Sequence, residues 1–372
     1  MNSLQDVLNS YGSTYDEISA SLGVKVETIE ALLTGENVAL GEARKVAEAL
    51  GLSLSVLAEM RKSDSARDFE FFFRRANPKA PPKEIIDIKR YENLIGAASA
   101  FLDDGNNADW IGCFYEDRLA DYEEMASFIR NEVLEVDLVS PLSNLPFLLD
   151  KIGVYSFVTR STFFEGVSVY YSRRPYIFIS PRFSGRMLFT LAHEFSHLLL
   201  HVDPGEDSGV FDEYREKDMP SFAESKMIER EADILASSLL LPARGVGLCL
   251  KKIREVLKST DSENIGDIEI LYLANIYGVS FEVAGYRLER LGVLPAGGTM
   301  ALVQHIRKQH GSPEKRAEAA GLPARPEFKM PQIPISIVKS AIGKISAGEF
   351  SLGFVREKLE LPIKSLMAAN LG

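Results

Sequence analysis

A short sequence, His193-Glu194-Phe195-Ser196-His197, lies within an apolar run and favours one local structure, a helix. Mostly apolar residues occupy 188–192 before it, and three leucines occupy 198–200 after it. Residues four apart share one face of a helix, so His193 and His197 could bind one metal ion there. Glu194 lies about 100° around the helix from His193, beside such a metal rather than on it. The alternative is a buried helix whose histidines bind nothing.

The residue types in this motif indicate a definite chemistry. A carboxylate beside a metal can take a proton from a metal-bound water, which is how zinc peptidases activate water. The chain has five histidines, and three of them fall between positions 193 and 201. Glu194 is therefore predicted to be the general base.

A third ligand is needed to complete a catalytic zinc site. His201 is the nearest candidate in sequence, but it lies about 12 Å along the helix axis from His193. Glu229, in a second predicted helix, is the better candidate. With Glu229 placed at 0° on the helical wheel, its side of the helix also carries several mostly apolar residues: Ala232, Asp233, Ala236, Leu239 and Leu240.

Two acids on that otherwise apolar face need partners, because an unpaired buried carboxylate is costly. We expect Glu229 to bind the metal and Asp233 to accept the free ring N–H of a ligand histidine. Glu231 falls on the far side of the wheel, at about 200°, and is expected to be solvated. The alternative is that Glu229 and Asp233 are only a capping or salt-bridged pair.

Several separate blocks of sequence, in the same order, resemble the ImmA/IrrE family of bacterial and phage metallopeptidases. They are residues 186–201, Glu229-Arg230-Glu231-Ala232-Asp233, residues 239–242 and residues 277–292. The resemblance covers roughly residues 130–295. Phe195-Ser196 stands where Leu-Gly is usual in the family, and neither position binds metal.

This resemblance implies a zinc-dependent endopeptidase with a shortened zincin fold. It implies His193, His197 and Glu229 as zinc ligands and Glu194 as general base. Many members of the family cleave a helix-turn-helix repressor and so switch genes on, which implies a role in transcription regulation and the stress response.

Composition adds limits on compartment and partners. The chain has 372 residues, a net charge of −11 and only two cysteines, Cys113 and Cys249. This favours a reducing, cytoplasmic location and excludes a disulfide scaffold. We expect no signal peptide and no membrane association, since no basic flank precedes an apolar core and no apolar run is long enough to span a bilayer.

Residues 1–62 are predicted to form a helix-turn-helix-like domain that resembles those of Cro and phage repressors. DNA reading would use the start of its second helix, at Lys25, Glu27, Thr28 and Glu30. Residues 1–60 contain nine acids and three bases. Phosphate contacts require Lys and Arg, so we favour a protein-docking or dimerising module over DNA binding, which stays the alternative.

The predicted fold class is α+β, mainly helical, with a compact zincin-like metallopeptidase domain flanked by helix-turn-helix-like modules. That domain spans residues 138–296, with a small sheet, the HExxH helix and a helical closing segment. Residues 153–158 are predicted to form a strand, and 167–171 with 176–180 a hairpin. A helical linker region at 63–137 and a C-terminal accessory helical region at 297–372 flank it.

The group that stabilises the oxyanion during cleavage is left open among several residues. The candidates are His201, Tyr155, Tyr170 and Arg186, with Tyr171 also near in sequence. Residues 202–226 carry eight acids and three bases, which is either a solvated loop or a rim that favours a basic substrate segment.

Together these features predict a zinc-dependent endopeptidase that cleaves a regulatory protein, a helix-turn-helix repressor with a basic segment, to switch gene expression. The alternative is a non-catalytic regulator that binds DNA or a toxin and whose metal site is structural.

Overall fold

In the computed structural model, the described residues are 19, 23–34, 38–49, 57, 82–102, 110–111, 114, 121–159, 165–171, 174–201, 222–258, 264–323, 325 and 328–361. Residues 61–81 and residues 202–221, the first part of the acidic stretch, lie outside them. Two short helices in contact, α1 (Val26–Thr34) and α2 (Leu40–Ala49), belong to the predicted N-terminal module. Its helix-turn-helix fold stays a prediction.

Four elements lead into the sheet. They are α3 (Pro82–Phe101), α4 (Tyr122–Phe128), a π-helical turn (Ile129–Val133) and α5 (Leu145–Lys151). The carboxylate of Asp121 caps α4 by accepting from the backbone N–H of Glu123, as is common at helix starts.

The described residues form one three-stranded sheet with the order β1-β3-β2. Its strands are β1 (Tyr155–Val158), β2 (Gly166–Tyr171) and β3 (Arg174–Ile179). β1 runs parallel to β3, and β2 runs antiparallel to it with Gly166 opposite Ile179. The predicted strand and hairpin are therefore confirmed.

Helices make up the rest of the described chain. They are α6 (Ser184–Leu200), α7 (Phe222–Leu240), α8 (Ala243–Leu257), α9 (Asp267–Tyr277), α10 (Phe281–Arg290), α11 (Gly298–His310), α12 (Pro313–Ala319), α13 (Ile335–Ser346) and α14 (Leu352–Leu359). The predicted α+β class, mainly helical with a compact domain around a small sheet, is confirmed.

The sheet is covered on both faces by separate hydrophobic clusters. Tyr170, Ile177 and Ile179 face the larger cluster, which includes residues of α6, α7, α9 and α10. Phe157 and Phe178 face the second cluster, to which α3, α13 and α14 contribute. Strand side chains alternate between faces, and here both sets are apolar, so both faces need cover.

The second cluster joins two regions that the sequence placed in different units. α3 comes from the predicted linker at 63–137, and α13 and α14 come from the predicted accessory region at 297–372. Asp150, at the end of α5, accepts hydrogen bonds from the backbone N–H and hydroxyl of Ser336, at the start of α13. Both regions thus pack on the three-stranded sheet.

Among the described residues, no single helix is long and apolar enough to cross a membrane. Residues 226–240 and 243–257 meet the length and composition needed only when taken together, and they are bent by 55°.

Candidate active site

Helix α6 presents the HExxH residues because its other face is fastened in the core. That face is apolar and buried, with Leu188, Leu191, Ala192, Phe195, Leu198 and Leu199 at 1% exposure or less. The apolar spacing fixes the rotation of the helix. His193 and His197 therefore fall toward α7, which packs closely against α6.

Three side chains from α6 and α7 converge on one point. His193 Nε2 lies 2.9 Å from His197 Nε2 and 3.2 Å from Glu229 Oε2. Glu229 Oε1 lies 3.6 Å from His197 Nε2. These three residues are the group of possible metal ligands found among the described residues.

The spacing of these atoms fits a tetrahedral metal centre. With metal–ligand bonds of about 2.0–2.1 Å, two ligand atoms of a tetrahedral zinc lie about 3.3 Å apart. The separations of 2.9, 3.2 and 3.6 Å lie on both sides of that value. Two imidazole nitrogens and one carboxylate oxygen are also a donor set that zinc accepts.

Asp233 lies behind the ring of His193. His193 Nδ1 is 3.0 Å from Asp233 Oδ1, so the ring can donate there and keep Nε2 for a metal. Burial works against the charged ring, but hydrogen bonds to Asp233 and Glu229 outweigh it and raise the pKa of His193 to about 10. Hydrogen bonds to His193 and His197 hold the pKa of Glu229 far below its usual value.

Glu194 is buried beside this group and touches the sheet. Burial raises the pKa of its carboxyl, while the charges of His197 and His193 and a hydrogen bond from Ser168 partly counteract that rise. A carboxylate with a raised pKa is a better proton acceptor near neutral pH. The position suits the predicted general base.

Gly166 in β2 is what allows the sheet to come so close. A Cβ at this position would lie 2.6 Å from Thr190 Cγ2 and 2.7 Å from both Cγ and Oε1 of Glu194. Any other residue at 166 would displace Glu194 or the strand. Neither Gly166 nor Ser168 was predicted as a site residue, although their spacing of two places both small residues on the face toward α6.

The outer edge of β2 presents backbone groups beside Glu194. Ser180 N–H donates to the Glu165 carbonyl, so these two residues form a hydrogen-bonded pair of the antiparallel ladder. Pairs alternate along such a ladder, so Gly166 and Ser168 point their N–H and C=O groups away from β3. No further strand lies on that side among the described residues.

Two of the predicted oxyanion residues lie in the sheet. Tyr155 is buried in the second cluster, on the face opposite α6, which does not support an oxyanion role. Tyr170 shares the α6 side of the sheet with Ser168 but is fully buried in the larger cluster. Tyr171 is the last residue of β2.

The other two oxyanion candidates lie on or beside α6. Arg186, two turns before His193, is half exposed and forms an ion pair with Glu165 at the start of β2, with Nε 2.6 Å from Oε2. His201 lies behind His197, with its Nδ1 atom 3.0 Å from Nδ1 of that residue. His201 is thus on the side of His197 opposite Nε2. Arg186 is the one of the four that is exposed on the histidine side of α6.

Glu231 corrects the helical-wheel prediction. It was expected to be solvated, but its side chain is only 15% exposed and its Oε2 lies 3.1 Å from His201 Nε2. Glu229 and Asp233 are 61% and 53% exposed. The acid assigned to solvent is therefore the most buried of the three.

The far end of α7 is held by two fully buried arginines. Arg130 donates to the carbonyl of Leu239, and Arg287 donates to that of Leu241 at 2.8 Å. The last carbonyls of a helix have no partners within it and attract cations. Arg287 also pairs with both oxygens of Glu123. These contacts fix the axis of the helix that carries Glu229.

Residues 149–289 match the family model Peptidase_M78, described as the IrrE N-terminal-like domain. The matched segment contains the sheet, α6 and α7, and it supports the resemblance to the ImmA/IrrE family and a metallopeptidase-type function. A search of curated proteins returned no match.

Proposed function

We propose that this chain is a zinc-dependent endopeptidase that cleaves a regulatory protein. The observation that carries the proposal is the convergence of His193, His197 and Glu229 beside the buried carboxylate of Glu194. A structural metal site would need a fourth protein ligand and no general base.

Each residue of the site has a distinct part in this proposal. When bound, zinc supplies a Lewis acid that polarises the scissile carbonyl and lowers the pKa of the attacking water. His193, His197 and Glu229 would hold it. Glu194 accepts a proton from the attacking water and delivers it to the nitrogen of the leaving amine. Ser168 donates a hydrogen bond to the carboxylate of Glu194, and Gly166 leaves the space in which that side chain lies against β2.

The edge of β2 would hold the substrate. An extended peptide can pair with an exposed strand edge through backbone hydrogen bonds, which fixes its position without requiring a particular sequence. Gly166 and Ser168 offer such groups on the strand that contacts Glu194. A peptide bond paired there would lie next to the general base.

For the substrate, we propose a helix-turn-helix repressor with a basic segment, cut in the cytoplasm to switch gene expression. The resemblance to the ImmA/IrrE family supports the class of substrate. The excess of acids in residues 202–226 supports the basic segment, because opposite charges raise the local concentration of a substrate. The acidic N-terminal module would select the partner.

Metal analysis and one isosteric variant test the enzyme. Purified protein should contain about one zinc per chain, as three protein ligands and water require. His193→Ala and His197→Ala should lose it. Glu194→Gln should keep zinc and lose cleavage by about 10²–10⁴-fold, the usual contribution of a general base.

The substrate is sought in cells that express either the wild-type chain or Glu194→Gln. New protein N-termini that form only with the wild-type chain identify cleaved proteins, and helix-turn-helix repressors should be among them. If Glu194→Gln cleaves at the wild-type rate, the assigned mechanism is wrong. Zinc in the wild-type chain with no new N-termini would favour the non-catalytic regulator.

A further inference from the structure

A network of hydrogen-bonded side chains continues behind the metal-ligand group. His197 Nδ1 lies 3.0 Å from His201 Nδ1, and His201 Nε2 lies 3.1 Å from Glu231 Oε2. The side chains of His201 and Glu231 are 7% and 15% exposed. This network runs from Nδ1 of His197 to the carboxylate of Glu231, which lies on the opposite side of α7 from Glu229.

When the two imidazole rings are neutral, the carboxylate of Glu231 determines which atoms of this network carry hydrogens. A carboxylate only accepts, so His201 carries a hydrogen on Nε2 and donates it to Glu231. In the neutral ring Nδ1 of His201 is then an acceptor. His197 must therefore donate from its own Nδ1, which leaves the lone pair of its Nε2 toward His193 and Glu229.

We infer that Glu231 and His201 are positioning residues for His197, an inference that rests on the proposed function. They fix the tautomer and the ring orientation that His197 needs as a metal ligand. Hydrogen-bond partners behind a ligand histidine orient the ring and raise its basicity. His193 receives the same support directly from Asp233, and His197 receives it through one intervening imidazole.

The burial of His201 and Glu231 strengthens the hydrogen bonds that orient His197. Asp233 is half exposed, and water weakens its interaction with His193. Glu231 and His201 are shielded, so their hydrogen bonds act in a medium of lower dielectric. The support of His197 should therefore matter at least as much as that of His193.

The test is a double-mutant cycle on zinc affinity in the full chain, with Glu231→Gln and His201→Phe. An amide at 231 can donate to His201 Nε2, whereas a carboxylate cannot. His201 could then donate from Nδ1 to His197, which reverses the direction of both hydrogen bonds. Each variant should weaken zinc binding by about 10–100-fold. The double variant should bind zinc no more weakly than His201→Phe alone, because Glu231 acts only through His201. A chromogenic chelator in competition measures the affinity.

Three further measurements separate positioning from a structural role. Thermal melts of the metal-free proteins should differ little, and the visible spectrum of the cobalt-loaded protein should change in Glu231→Gln, because it reports ligand geometry. Glu255→Gln, at a half-exposed acid that pairs with Lys252, is the control and should leave both unchanged. If His201→Phe does not fold, the affinity and cobalt spectrum of Glu231→Gln decide.

Wild-type zinc affinity and cobalt spectrum in Glu231→Gln would overturn the inference while leaving the proposed function intact. Losses that multiply in the double variant would also overturn it, since the two residues would then act independently. A wild-type chain that binds neither zinc nor cobalt would overturn the inference and the proposed function together.

Discussion

The two faces of the sheet differ most in side-chain size where β2 begins. Toward α6, β2 presents Gly166 and Ser168, which leave room for Glu194 to reach the strand. On the other face, Phe178 stacks on Tyr91 with ring centroids 4.4 Å apart and on Phe157 at 5.4 Å.

This contrast divides the work of the sheet. On the α6 face, the small residues Gly166 and Ser168 leave room for the ionisable side chain of Glu194 against the strand. Large aromatic residues on the other face bury much apolar surface and attach α3, α13 and α14 to the sheet. Substitutions at Gly166 or Ser168 should therefore change activity, and substitutions at the aromatic residues of the other face should change stability.

The largest effect should come from the aromatic face. Phe178→Ala should lower the free energy of unfolding by about 3–5 kcal/mol, because the ring is fully buried and its removal leaves a cavity. The fraction that stays folded should cleave at the wild-type rate per bound zinc. Denaturant unfolding and activity at low temperature measure the two quantities. Phe147→Ala, at a partly exposed ring, is the control and should cost much less.

Gly166→Ala should produce the opposite pattern. The added Cβ would clash with Glu194 and displace the general base, and misplacement of a catalytic group by about 1 Å can cost about 10²-fold in rate. Zinc content should be unchanged. Gly247→Ala is the matched control, since nothing lies within 4 Å of the added Cβ and its φ is ordinary. Equal rates for the two variants would show that β2 does not fix Glu194.

Asp233→Asn, in α7, should have a smaller effect, and the quantity that changes is zinc affinity. It should weaken zinc binding by about tenfold, near the lower end of the range for such partners, because Asp233 is half exposed. The same competition assay measures it. A loss larger than that of Glu231→Gln would mean that burial does not govern how strongly the two ligand histidines are supported.

The smallest effect concerns pH in the metal-free protein. The pKa of His193 is raised from 6.5 to about 10 in the folded state. The resulting stability is complete below about pH 6.5 and is lost as the pH rises through about 10. The loss should be small, because Glu229 and Asp233 are more than half exposed and water screens them. Thermal melts of the chelated wild type and His193→Ala should converge at high pH. A constant difference between them would contradict the assignment.

Sequence patterns alone reached the elements whose signal is local. The HExxH spacing gave α6 with both histidines on one face, and the alternation of apolar residues gave the hairpin. Glu229 and Asp233 were singled out because acids on an apolar face need partners, but both side chains are more than half exposed, and their roles stay predictions. The packing of helices on both faces of the sheet was not predicted. An apolar stripe on α3 or α13 indicates that the helix packs against something, but it does not indicate which surface.

Glu231 was misplaced because the helical wheel was centred on Glu229. That wheel left out Leu235, which lies at about 240°. Leu235, Ala232 and Ala236 are all fully buried, and with them the buried stripe centres near 290°. Glu229 and Glu231 then flank the stripe on its two sides, and each reaches a histidine of the α6 segment. Counting every apolar position on the wheel would have shown this.

The contact between Glu123 and Arg287 also sets when in the life of a chain the site can form. The two residues are 164 positions apart, and together with Arg130 they hold the end of the helix that carries Glu229. Contacts of such long range form late, since the ends of a long loop must first meet. During synthesis, α7 is complete well before Arg287 has been added. The nascent chain therefore passes through a period in which all its proposed metal ligands exist but the frame that aligns them does not.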